Sequence, residues 1–146
     1  MHVFFINARY TPERIAGPAF TTQYLAEQLV LEGDQATVFC RTKGSGVNRD
    51  AHDGVTVVRI GLDVSTSRLA QYLVDAVNFF RPDVIHTLFP REIPIELLSS
   101  LATQRRVPVL QTLLSFFLLC ARGSMMRDGR MCNSQCVDCH AATAGQ

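Results

Sequence analysis

The stretch VFFINARYTPERIAGPAFTTQYLAEQLVLEG, residues 3–33, decides how this chain is read. Val3, Phe4, Phe5 and Ile6 are apolar at consecutive positions, the pattern of a strand buried on both faces of a parallel sheet. A polar connection from Asn7 to Ala16 follows, longer than the roughly two to six residues usual between a strand and a helix. Gly17-Pro18 then opens a helical pattern in which Phe20, Tyr24, Leu25, Leu29 and Leu31 keep near-helical spacing, and Gly33 is the expected stop. Pro18 suits the first helical position, and Gly17 lets the backbone enter it with no side chain in the way. Strand, loop and helix in this order form the first βα unit of a doubly wound α/β domain. Ligands in such domains sit outside the carboxyl ends of the strands, beside the helix N-terminus. Unpaired N–H groups at that helix start attract an anion, so Gly17 is expected to face a phosphate-bearing ligand. The competing reading is that Gly-Pro only turns the chain.

Ala36 to Cys40 makes a second strand, with Cys40 acting as a small buried hydrophobe. Arg41 to Asp53 reads as a polar loop, and Asp53-Gly54 as a turn before a third strand carrying Val55, Val57, Val58 and Ile60. Ser65, Thr66 or Ser67 caps a second helix whose stripe is Leu69, Leu73, Ala76, Val77 and Phe80, ended by Arg81-Pro82. Asp83 to Leu88 is a fourth strand with His86 near its carboxyl end, read either as facing a ligand crevice or as a hydrogen-bonded core residue. Glu92 to Gln104 is a third helix buried through Ile95, Leu98, Leu101 and Ala102, and Arg105 and Arg106 complement its C-terminal end. Val107 to Leu113 is a fifth strand. The alternation predicts a parallel sheet in the order 3-2-1-4-5, covered on both faces, with the crevice beside strands one and four.

A length of 146 residues is one domain's worth and enough to bury a core without disulfides. With 47% hydrophobic and 18% charged residues the chain is globular rather than disordered. A net charge of +1 without runs of like charge removes the electrostatic case for nucleic acid. No basic n-region or cleavage site precedes the first strand, and the most apolar run, Val107 to Cys120, is broken by Pro108, Gln111, Thr112 and Ser115. The chain therefore reads as cytoplasmic, where structural disulfides are not expected.

Four of the five cysteines crowd the last part of the chain, Cys120, Cys132, Cys136 and Cys139, in the spacing Cys-x11-Cys-x3-Cys-x2-Cys, with His140 next to the last. Four thiolates can enclose a tetrahedral zinc ion, and a Cys-x2-Cys turn supplies two of them from one knuckle. Asp128-Gly129 is the turn that brings Cys132 back toward Cys120, and His140 can substitute for one thiol. Such a closed set is structural, with no open catalytic position. Uncoordinated or oxidised thiols and an iron–sulfur centre are the alternatives. The chain is thus divided into residues 1–117, an α/β domain, and 118–146, a Cys-rich tail.

Across nearly the whole length a resemblance emerges. Strand one with its Gly17-Pro18 helix start, Arg81-Pro82-Asp83-Val84-Ile85-His86 and Val107-Pro108-Val109-Leu110-Gln111-Thr112 resemble the N-terminal domain of family 4 glycosyltransferases. The tail LLCARGSMMRDGRMC is similar to a subgroup in which cysteines follow strand five. The resemblance implies a Rossmann-like three-layer domain that is one half of a two-domain GT-B fold, its N-terminal half binding the acceptor and its C-terminal half the nucleotide-sugar. It implies transfer with retained configuration and no catalytic metal. Gly17 and Pro18 would approach the donor pyrophosphate from across the cleft, and Arg9 and Tyr10 would border a saccharide or lipid-linked acceptor. Cell-surface polysaccharide assembly at the inner membrane surface is implied in the same way.

Two departures stand out. The C-terminal donor-binding domain is absent from these residues, and no two glutamates are separated by seven residues. Leu114 and Ser115 stand where the family commonly places a His and an Asn or Asp. A Leu cannot hydrogen-bond to a sugar hydroxyl, which makes His86 the nearest catalytic candidate. The sequence therefore also allows a non-catalytic, metal-bearing interaction domain. A small nucleotide-binding module is a third reading, although strand one lacks a Gly-x-Gly-x-x-Gly turn and strand two ends in Cys40-Arg41 without an acidic residue.

Overall fold

A computed structural model describes residues 1–13, 17–90, 93–114, 116, 120, 124–127 and 129–132. The chain forms two compact units, Met1–Thr112 and Leu113–Gln146. In the first unit, β1 (His2–Asn7), α1 (Gly17–Leu31), β2 (Gln35–Thr42), β3 (Val47–His52), β4 (Val55–Gly61), α2 (Thr66–Phe80), β5 (Val84–Phe89), α3 (Ile95–Arg105) and β6 (Val109–Gln111) follow in sequence. The strands form one sheet in the order β3-β4-β2-β1-β5-β6. β1 pairs in parallel with β2 and β5, β2 with β4, and β5 with β6. The five strands expected from the sequence thus lie in the expected order, with helices on both faces.

The sheet has a sixth strand that corrects the reading of residues 41–53 as a loop. β3 pairs antiparallel with β4 along the edge. Its residues, Val47 to His52, are exposed or only partly buried, so no apolar alternation marks them. The turn joining β3 to β4 is Asp53-Gly54, with φ of +48° and +80°. Positive φ at both central residues matches the right-handed twist of a two-residue hairpin.

Alternating strand residues feed two cores. Phe4, Ile6, Phe39, Val58, Ile60 and Ile85 pack with Leu69, Leu73 and Val77 of α2 and with Leu98 and Leu101 of α3. Val3, Phe5, Val38, Cys40, Val55 and Val57 pack on the other face with α1. Ser65 caps α2 by accepting from the Arg68 N–H. Arg81 ends the helix in a left-handed conformation, its N–H returning to the Val77 carbonyl.

Helix α1 packs differently from its apolar spacing. Its buried residues are Ala19, Thr22 and Ala26, flanked by the partly buried Leu25, Leu29 and Val30. Phe20, Tyr24 and Leu31, expected inside, are 59%, 57% and 77% exposed. Small residues bring the helix backbone against the sheet, and a phenyl ring has no room there. The second unit contains a short hairpin, β7 (Met126–Arg127) against β8 (Arg130–Met131). Among the described residues no helix is long and apolar enough to cross a membrane.

Candidate functional site

The strand order reverses at β1. The chain runs from β1 outward through β2 and β4 on one side, and returns to β5 and β6 on the other. The carboxyl ends of β1 and β5 are therefore the crevice of this topology. Asn7, the last residue of β1, is buried and joins strand to helix there. Its Nδ2 donates to the Pro18 carbonyl at 3.0 Å and to the Thr22 hydroxyl at 2.8 Å, while its Oδ1 accepts from the Ala8 N–H at 2.9 Å. These bonds hold the first turn of α1 at the strand tip.

Gly17 begins that helix on the exposed surface, and a Cβ built on it would meet, beyond its chain neighbours and its own helix, no atom of the described residues within 4 Å. Among the described residues, nothing fills the space beside Gly17. The N–H groups of Gly17, Ala19 and Phe20 lie in the first turn, where donors have no partner inside a helix, and the macrodipole there favours negative charge.

The segment after β1 is tied to three strand ends. The Ala8 N–H donates to the Phe89 carbonyl at 2.7 Å and the Arg41 N–H to the Ala8 carbonyl at 3.2 Å. The Glu13 carboxylate accepts from the Lys43 N–H at 2.5 Å. Arg59 of β4 makes the longest reach, its Nη2 donating to the Thr11 carbonyl at 2.6 Å and its Nε to Asp50 at 3.2 Å. Arg9 is half-buried, with its Nη1 on the Ala8 carbonyl. Tyr10 is fully buried, its ring centroid 5.9 Å from the Arg59 guanidinium carbon. The hydroxyl lies beside that of Thr11 without an ordinary hydrogen bond, and burial raises its pKa. Tyr10 thus anchors the segment from beneath instead of presenting a surface.

Burial pushes the Cys40 thiol up to about 12, so it stays protonated and serves as packing. Arg41 is also buried, its Nη2 on the Val64 carbonyl at 3.2 Å. Arg41 and Arg59 went unread in the sequence. The signal is present in the sequence, since Arg59 stands between Val58 and Ile60 in a strand rich in Val, and a buried guanidinium there must have fixed partners.

His86 lies in β5, half-buried against Phe5 with ring centroids 5.4 Å apart. Its Nε2 is 2.8 Å from the Thr112 hydroxyl, and burial lowers its pKa, favouring the neutral ring. The next residue, Thr87, donates its hydroxyl to the Gln111 side chain. The histidine thus belongs to a hydrogen-bonded network joining β5 to the end of β6. Leu114 lies in the second unit and is exposed.

Of the cysteine set, Cys120 is buried and Cys132 half-buried; Cys136, Cys139 and His140 lie outside the described residues. Among the described residues, Glu27, His52 and Asp53 bring ligand-type atoms within 4.8 Å of one another where α1 meets the β3–β4 turn. A cleft of about 390 Å³ lined by His2, Thr37, Arg49, Phe79 and Phe80 opens at the amino ends of the strands, opposite the crevice.

Residues 16–141 match the family described as glycosyl transferase 4-like domain. The chain is also 26% identical over 110 residues to a Klebsiella pneumoniae protein described as an uncharacterized 42.6 kDa protein in cps region. That alignment covers 60% of this chain and 30% of the relative, so the chain spans under a third of the curated protein it matches.

Proposed function

The chain belongs to the glycosyl transferase 4-like family, and on that premise we propose that it is the acceptor-side half of a glycosyltransferase. It works with a donor-binding half supplied by another part of a longer protein. The reaction moves a sugar from a nucleotide-sugar to a saccharide or lipid-linked acceptor. The bond from the anomeric carbon to the diphosphate breaks, an acceptor hydroxyl takes its place, and the nucleoside diphosphate leaves with the bonding electron pair. The hexosyl type, retention of configuration and independence from a catalytic metal rest on the family resemblance. A part in polysaccharide assembly is suggested by the cps-region setting of the relative, and a place at the inner membrane surface rests on the family resemblance alone.

The observation carrying this reading is the open space at Gly17, held by Asn7 at the strand-order switch. An anionic diphosphate approaching the first turn of α1 gains from its N–H groups and from the helix dipole. Arg9 borders the acceptor side of the same crevice. His86, neutral and half-buried, acts through the β5–β6 network as a positioning residue.

Calorimetric titration of nucleotide-sugars tests the division of labour. The 146-residue chain alone binds none at micromolar concentration, whereas a protein carrying both halves binds donor and transfers sugar. Micromolar donor affinity of the isolated chain contradicts the proposal, and submicromolar NAD affinity replaces it with a dinucleotide-binding module.

A further inference from the structure

The side of the sheet that carries α2 changes character at its amino end. Residues two apart on a strand share a face, so His2 lies with Phe4, Thr37 with Phe39 and Thr56 with Val58. Phe4, Phe39 and Val58 belong to the core under α2, whereas the positions before them carry an imidazole and two hydroxyls. The last two residues of α2, Phe79 and Phe80, wall a cleft of about 390 Å³ there, with His2, Thr37, Thr56 and Arg49 in its lining. That volume lies within the range of small-molecule sites, roughly 300–1,000 Å³.

Arg49 stands opposite Val58 on the edge strand β3, its guanidinium carbon 5.3 Å from the ring centroid of Phe79 and 5.0 Å from that of Phe80. The two rings meet edge to face and make a corner that holds the guanidinium. Aromatic rings satisfy the flat face of that group, and its N–H fork still calls for oxygen. Among the described residues no carboxylate pairs with Arg49. The acids nearest in the chain and in the cleft are engaged elsewhere: Asp50 holds Arg59, and Asp34 takes the terminal ammonium at 2.6 Å. His2 is bonded to the Phe80 carbonyl and the Thr37 hydroxyl, and burial lowers its pKa, so the ring is neutral at pH 7. One uncommitted positive charge is left in the cleft, and Phe79 stands 70% exposed beside it. The Thr56 hydroxyl makes no hydrogen bond among the described residues.

We propose that this cleft is a second ligand site, taking a small aromatic carboxylate whose charged end pairs with Arg49 and whose ring lies against Phe79. A guanidinium meets a carboxylate through two parallel N–H···O bonds, and the rings behind Arg49 hold its fork ready for them. A phosphate ester brings about two negative charges at neutral pH. Only one cation is free here and Asp34 lines the same cleft, so a single charge fits better than two. The exposed Phe79 ring favours an aromatic body over an aliphatic one, because offset rings gain beyond their buried area. The Thr56 hydroxyl remains for a polar substituent. None of Asn7, Arg9, Gly17 and His86 lines this cleft, so the inference is independent of the sugar-transfer reading.

The test is a titration of the full chain with benzoate, followed by NMR shifts of the backbone amides and the arginine side chains. Saturable shifts at Arg49, Thr56 and Phe79 are expected, with a Kd of about 1 mM or below. Benzamide, which keeps the ring without the charge, and acetate, which keeps the charge without the ring, should each bind about tenfold more weakly. Arg49→Gln should abolish binding; its side chain is exposed, so the fold stands without it. Arg49→Lys keeps the charge but loses the fork and should recover part of the affinity. Phe79→Ala should weaken binding about five- to tenfold. The benzoate–benzamide comparison on the unaltered chain decides the matter if a variant fails to fold. No saturable shift at these residues, shifts confined to the crevice at residues 7–22, benzamide as tight as benzoate, or binding undiminished in Arg49→Gln each overturns the proposal. Phenyl phosphate binding tighter than benzoate overturns the carboxylate class.

Discussion

The Arg59 guanidinium, standing on β4, donates to the carbonyl oxygen of Thr11, a residue that follows β1 two strands away. Its Nη1 passes 3.9 Å from the Cys40 sulfur on the way, and its Nε is held by Asp50 on the edge strand. A single side chain thereby links the outermost pair of strands to the segment bordering the crevice.

Replacing Arg59 with Met should cost about 2 kcal/mol, because the buried Thr11 carbonyl loses a charged donor and finds no substitute. Amide exchange in residues 8–13 should accelerate more than in β4 itself. Asp50→Ala should cost less than Arg59→Met, since its carboxylate is half-exposed and solvated in part. Equal costs in urea unfolding would mean that the ion pair, and not the hold on Thr11, is what Arg59 contributes.

Gly54→Ala should destabilise by about 1–2 kcal/mol through left-handed strain alone. A further cost comes from its Cβ, which would lie 2.7 Å from Cγ1 of Val30. Combining it with Val30→Ala removes that clash, so the two substitutions should be less than additive. Strict additivity in chemical denaturation would contradict the observed packing of the hairpin turn on α1.

Gly17→Leu should leave stability within about 0.5 kcal/mol, because the side chain enters open space. In a protein carrying both halves, the same change should raise the donor KM and lower transfer. Unchanged kinetics would show that no ligand approaches this turn, and a large loss of stability would show that Gly17 is needed by the fold.

His2 and His86 give the fold a dependence on pH. The His2 Nδ1–H donates to the Phe80 carbonyl at 3.1 Å and its Nε2 lies 2.9 Å from the Thr37 hydroxyl. Burial lowers both pKa values below the ordinary 6.5. The unfolded chain therefore takes up protons that the folded one resists. The stability from these two residues is fully present above about pH 6.5 and falls as pH drops through their folded pKa values. Urea midpoints measured from neutral to mildly acid pH should decline, and His86→Gln should flatten the slope. An unchanged slope would place the titration elsewhere.

How much was legible varied with what each residue contributes to packing. The central strands could be read because Phe4, Phe5, Val38 and Phe39 are apolar on both faces, which only a covered sheet requires. β3 could not, since Asn48, Arg49 and Asp50 face solvent and leave no periodic trace; Asp53-Gly54 marked only its far end. On α1 the spacing is helical, but of its apolar members only Leu25 and Leu29 lie against the core, while Phe20, Tyr24 and Leu31 are exposed. Periodicity ranks residues by hydrophobicity, whereas close packing on the sheet selects Ala19, Thr22 and Ala26 by size. The helix start at Gly17 is legible from Gly17-Pro18, but Asn7, which fixes that turn through Pro18 and Thr22, reads as an ordinary loop residue until its partners are seen.

The polar ribbon β3 also bears on the exposed border of the sheet. A sheet border made of Asn48, Arg49, Asp50 and His52 offers an incoming strand charge where it would need grease, and the opposite border, β6, is three residues long with Pro108 just before it. Neither side provides a template on which another molecule's strand can propagate. Both margins of the sheet therefore disfavour strand addition by another copy.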